Sequence, residues 1–161
     1  YFIIAHALAK SAMFLAAGNI LKVNGHDQLS ELKGMARFQP LETFTFALAG
    51  ISLIGLPPSG GFIAKWLMLN AAINNGQWWL VVVMLGGGLL AAMYIFKVLN
   101  IAFNDIELPI KPVKKIPLGM SLCGLLLAIL ALLLGFNTEW VLDLLNGELN
   151  VATIHYNGAA S

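Results

Sequence analysis

Three ionisable residues sit where the sequence is otherwise apolar, and each is of a type that can carry a proton. Lys10 lies within His6-Ala7-Leu8-Ala9-Lys10-Ser11-Ala12-Met13-Phe14-Leu15, and Lys65 follows Gly55-Leu56-Pro57-Pro58-Ser59-Gly60-Gly61-Phe62-Ile63-Ala64. A lysine at the centre of a membrane helix costs about 2.5–3.5 kcal/mol on insertion scales. Low-dielectric surroundings also disfavour a charged ammonium, which brings proton exchange within reach. His6 is four residues before Lys10, hence on the same helix face one turn away. A neutral imidazole accepts a proton at one nitrogen and donates from the other, so His6 and Lys10 form a candidate relay through water. The plain alternatives are a snorkelling lysine at either position, with Lys65 the nearer to the surface if its helix is short, and a histidine bonded to a neighbouring helix. One histidine without a cysteine or carboxylate at ligand spacing is too little for a metal site.

The elements that must hold these residues are hydrophobic and long. Of 161 residues, 59% are hydrophobic and 11% charged, where a soluble domain has about 25% charged. Four apolar segments stand out, at residues 2–21, 43–64 continuing past Lys65 to 73, 78–96 and 118–136. Crossing about 30 Å of hydrocarbon takes about 20 helical residues, so each is long enough to span. Trp78, Trp79 and Trp140 fall at segment ends, where amphipathic rings favour the interface. The expected fold is therefore all-α and membrane-embedded.

The second segment cannot be one unbroken helix. Pro57 and Pro58 remove two backbone donors, while Gly55, Gly60 and Gly61 loosen the chain around them. Carbonyls freed in hydrocarbon need partners, so the break is expected inside protein or beside water. A helix interrupted near mid-membrane is the reading adopted, with a re-entrant hairpin as the alternative. Basic residues favour the former. Lys22, Lys33 and Arg37 lie between the first two segments and none between the next two; Lys97, Lys111, Lys114 and Lys115 lie between the last two and none after 136. Such alternation fits successive spans with the loops 22–42 and 104–117 on the cytoplasmic side and the 137–161 tail outside. Within 22–42, Asp27, Glu31 and Glu42 read as surface residues of an ordered loop or short helix. His26 and His155 read as solvated.

Other chemistries find no support. Net charge is +1 with dispersed basic residues, which offers no nucleic-acid footprint. The one cysteine, Cys123, excludes an internal disulfide and reads as packing against helix or lipid. No cysteine pair, His/Cys cluster or phosphate-binding glycine loop is present, so no cofactor and no metal is expected in this chain. Ser11 and Ser59 have no base and orienting group beside them. A start at Tyr1, inside a hydrophobic segment, is read as a cut through a larger protein.

The motif around Lys10, Gly34-Met35 leading to Pro40, and the motif from Gly55 to Lys65-Trp66 together resemble the antiporter-like proton-translocating subunits. These subunits are shared by respiratory NADH:quinone oxidoreductase, multisubunit sodium/proton antiporters and membrane-bound hydrogenases. The resemblance covers residues 1–103, and the last span only by hydropathy. It implies about fourteen helices in the parent, with inverted repeats that each contain a broken helix. Residues 1–21 would be the eleventh helix and 43–73 the broken twelfth, so that 1–103 forms part of the second proton-channel half and 118–136 the last helix. Lys10 then matches the central lysine of that half-channel, and Lys65 the ionisable residue of the broken helix.

The implied function is a proton-translocating subunit of a multisubunit complex, not catalytic in itself. Other membrane subunits, the bilayer and protons are the implied partners, with sodium an alternative cargo and a multi-pass place in a prokaryotic cytoplasmic membrane. A non-conducting anchor and a stand-alone secondary transporter are the competing classes.

Overall fold

The computed structural model describes residues 1–24, 32–104, 116–144 and 147. In chain order these form α1 (Phe2–Asn24), α2 (Met35–Phe38), α3 (Pro40–Ile54), α4 (Gly60–Asn74), α5 (Trp78–Phe103) and α6 (Leu118–Phe136), with a further helical stretch over 138–144. Among the described residues, three helices are long and apolar enough to cross a membrane: Phe2–Val23, Trp78–Phe103 and Leu118–Phe136. The secondary structure of the described residues is all helical, and the chain is integral to a membrane.

Helices α3 and α4 have 15 residues each, about 22 Å apiece at 1.5 Å per residue, so neither alone reaches across about 30 Å. Pro40 occupies the first turn of α3, where its missing N–H leaves no bond unmade. The expected start at residue 43 is thus three residues late, and the expected end of the third segment at 96 falls short of Phe103.

Small residues set the packing of α1, α3 and α6. On α1, Ala5, Ala9, Ala12, Ala16 and Asn19 recur at alternating spacings of four and three and are buried. Thr45, Ala49 and Ser52 do the same on α3, and Ser121, Gly124, Ala128 and Ala131 on α6. That period keeps one seam of each helix facing its partners, and short side chains let the backbones approach closely. Ala12, Ala49 and Ala128 meet in the middle of the three seams, with Met13, Leu48 and Leu127 around them. Helix α5 packs on α3 through Ile95 and Val98, which cluster with Ala16 and Phe46.

At one end, Ile20, Leu32, Met35 and Ala102 cluster, so the end of α1, the short α2 and the end of α5 lie together. Lys22 at this end reaches the Met120 sulfur at the start of α6. Lys22, Lys33 and Arg37 therefore share the end at which α5 finishes and α6 begins. Lys111, Lys114, Lys115 and most of the 104–117 loop fall outside the described residues, as do residues 25–31 and most of the 137–161 tail. At the other end of α6, the Tyr1 hydroxyl donates to the Leu134 carbonyl at 2.7 Å.

Candidate functional site: a lysine held in a helix break

Residues 55–59 interrupt the apolar run where the sequence places the break, and local chemistry explains both edges. Gly55 ends α3 in the left-handed region, at φ +84°, a conformation that a side chain would resist. Its N–H and that of Leu56 both reach the Ile51 carbonyl. Ser59 opens α4: its hydroxyl accepts from the Phe62 N–H at 3.2 Å and donates to the Leu56 carbonyl at 2.7 Å. Fully buried, Ser59 is a helix cap that also ties the two edges together.

Lys65, in the second turn of α4, turns back across the break. Its ammonium donates to the Leu53 carbonyl at 2.9 Å and to the Ile54 carbonyl at 2.8 Å. These belong to the last turn of α3, where helix carbonyls lack internal partners and the helix dipole is negative. The side chain is half-buried and runs inward, so it does not snorkel. An ammonium has three donors, and the third remains for water or a proton acceptor. Gly88 of α5 faces the same group, since a methyl there would lie 3.7 Å from Nζ.

Close backbone approach holds this arrangement in place. A Cβ on Gly61 would overlap the Ser52 carbonyl oxygen, and one on Gly135 of α6 would overlap the Pro58 carbonyl oxygen. Gly60 leaves similar room for Leu134 and the Ala131 carbonyl. Hydropathy alone marks α6 as a span; packed against the break, it is a wall of the site. Gly135 escapes a reading of the sequence because nothing local distinguishes a glycine near a helix end from one in its middle.

His6 and Lys10 occupy a different setting. Both lie on the exposed face of α1, within a ladder at four-residue spacing. Phe2 stacks on the His6 ring at 5.4 Å between centroids, and the Lys10 ammonium sits 5.5 Å from the Phe14 centroid. The second contact is of the cation–π kind. Ala5, next to His6 in α1, lies 3.5 Å from where a methyl on Gly60 would stand, so this part of α1 meets the start of α4. The three candidates thus share a region, with Lys65 inside the bundle and the other two on its face. Of the alanines near Lys10, Ala9, Ala12 and Ala16 are buried, and the face of α1 that carries His6 and Lys10 is open.

One expectation is corrected outright. Glu42 is no surface residue of the 22–42 loop; it lies in the first turn of α3 and is 5% exposed. Its Oε1 accepts from the Asn19 side-chain amide at 3.2 Å and from the Ser121 hydroxyl, joining α1, α3 and α6. A groove of about 370 Å³ between α1, α3 and α5 is lined by Phe14, Met35, Phe46, Val98 and similar residues. Its apolar walls offer no proton-carrying group apart from the hydroxyls of Thr43 and Tyr94.

The chain as a whole has relatives among known proteins. The family described as NADH:quinone oxidoreductase/Mrp antiporter, transmembrane, matches residues 1–91. The chain belongs to that family. The NADH-quinone oxidoreductase subunit N of Desulforudis audaxviator is 34% identical over 101 residues, covering 63% of this chain and 20% of that protein. A Na(+)/H(+) antiporter protein of Bacillus subtilis, itself one subunit of an antiporter, is 29% identical over 143 residues, covering 88% of this chain and 29% of that protein. The chain therefore spans between a fifth and a third of the length of these relatives. In fold it is similar to a chain of the Mrp complex from Dietzia sp. DQ12-45-1b, with a TM-score of 0.79 at 23% identity, covering 87% of this chain and 34% of that one. The residues matched by the antiporter family include His6, Lys10, Lys65 and the whole break; α6 lies beyond them.

Proposed function

We propose that this chain forms part of the proton path of a membrane subunit in a multisubunit cation/proton-translocating complex. One observation carries the reading: an ammonium, that of Lys65, bonded to two backbone carbonyls inside a helix break. Half-helix ends in a membrane supply partners for ions, as broken helices do in transporters. A proton released by Lys65 passes to water or to His6, and Lys10 exchanges with His6 along the α1 face. The relatives named for sodium/proton antiport and for quinone reduction support this class of function, with electron carriers and the driving reaction in other subunits.

In this reading α3 and α4 together make a fourth, discontinuous span. The ends carrying Lys22, Lys33 and Arg37 face the cytoplasm of a prokaryotic cell. The chain supplies the last helices of a subunit of about fourteen, built from inverted repeats. The open face of α1 then meets helices of the same subunit that precede Tyr1, which would enclose Lys10. Protons are the cargo, with sodium the alternative on the antiporter side.

The competing reading is a non-conducting anchor, and the bonds of Lys65 favour it to this extent: a purely capping cation would make the same ones. Proton uptake by the intact complex in sealed vesicles separates the two. Lys10→Ala, normalised to assembled complex, is expected to abolish uptake; near wild-type uptake would replace the relay by the anchor.

A further inference from the structure

We propose that Glu42 is an additional proton-exchanging site, loading the break from the lysine-rich end along the inner face of α3. The proposal rests on the relay above and extends it to a residue on which that relay does not draw.

A carboxylate buried between helices is expensive unless a cation or several donors compensate it. Among the described residues Glu42 has no cation partner; its bonds come from two neutral groups, Asn19 and Ser121, both on one oxygen. The charged groups that could face it are few. Lys22 on α1 reaches Met120 instead, Lys33 and Arg37 beside α3 are exposed, Lys97 on α5 is exposed, and α6 carries no charge from Leu118 to Phe136. The first-turn position of α3 favours a negative charge there, and a neutral glutamine of the same shape would tie the helices equally well. A carboxyl in this setting adds one property beyond the tie, an exchangeable proton.

Two further atoms mark the same face of α3. Among the described residues, Gln39 Oε1 and Ser52 Oγ are buried polar atoms without a hydrogen-bond partner. Positions 39, 42, 45, 49 and 52 fall at spacings of three or four, so they share one side of the helix. Buried polar atoms of this kind are where internal water is held. Gln39 stands one turn outside Glu42. Ser52 stands at the break, against Gly61 and one residue before the Leu53 carbonyl that Lys65 holds. Both ends of the seam thus have places for water, and Glu42 to Ser52 is about 15 Å along the helix. Between them Ala12, Ala49 and Ala128 close the seam, so a proton leaving Glu42 passes when water enters between their methyl groups.

The test is proton uptake by the assembled complex carrying Glu42→Gln, compared with Lys65→Ala in the same vesicles. Glutamine keeps the size and an oxygen that can accept from Asn19 and Ser121, but has no acidic proton to load and release. A loss of about tenfold or more with assembly intact supports the proposal. Near wild-type uptake in E42Q beside a dead K65A overturns it and leaves the relay standing; near wild-type uptake in both overturns the relay and the proposal together. Should E42Q fail to assemble, Ser121→Ala leaves the carboxyl in place and removes one of its donors. An altered pH profile of uptake in assembled S121A supports the proposal, and an unaltered one overturns it.

Discussion

The two lysines lie in the same region of the molecule and are held in opposite ways. Lys65 finds its partners within the chain, two carbonyls eleven and twelve residues away, and the helices around it touch backbone to backbone. Lys10 has a phenylalanine ring beneath it and an open helix face around it. The contrast separates two tasks. The break is closed by bonds and backbone contacts among the described helices, whereas the α1 face around Lys10 is open. Under the proposed relay, Lys65 would keep its geometry as it loads and unloads, and Lys10 would take its environment from what packs on the open face.

The contrast can be broken most severely at the backbone contacts. Gly135→Val places side-chain atoms where the Pro58 carbonyl oxygen lies, and is expected to abolish transport and sharply lower the yield of assembled complex. Overpacking that side chains can relieve costs about 1–3 kcal/mol, and backbone against backbone has less room to yield. Gly86→Ala, which faces open space, is the matched control and is expected to change little. Equal assembly of the two variants on a native gel would show that the break is not braced by α6.

The next effect sharpens the difference between the lysines. Both Lys65→Ala and Lys10→Ala are expected to stop proton uptake, but only the former should also loosen the structure. It removes two bonds to a charged donor, each of a kind worth about 1.5–3 kcal/mol, from the last turn of α3. Faster amide exchange at Gly55 and Leu56 in K65A, and not in K10A, would bear this out. Equal protection in both would mean that the ammonium contributes little to the end of α3.

The smallest effect is expected at His6. His6→Ala removes the imidazole and its stacking on Phe2, while water can still bridge part of the way from Lys10. Uptake should slow several-fold rather than cease, within the range of a positioned proton-transfer group. Complete loss in an assembled H6A complex would make the imidazole obligatory and exclude a water bypass.

What sequence alone determined is everything governed by short-range chemistry. Hydrocarbon length sets how many apolar residues a span needs, so α1, α5 and α6 lie where the apolar runs do. Two prolines among glycines cannot continue a helix, so α3 ends at Ile54 and α4 begins at Gly60, on either side of those residues. A lysine amid apolar residues is conspicuous for its cost, wherever its side chain eventually points. Tertiary structure decided the rest, because the deciding partners are remote in the chain. Glu42 reads as a loop residue until Asn19 and Ser121, separated from it by 23 and 79 residues, close over it. Gly135 is one glycine among sixteen until its helix lies against Pro58. The direction in which Lys65 turns, outward to an interface or inward to α3, depended on where the carbonyls of Leu53 and Ile54 came to rest, and that required the two half-helices to pack side by side.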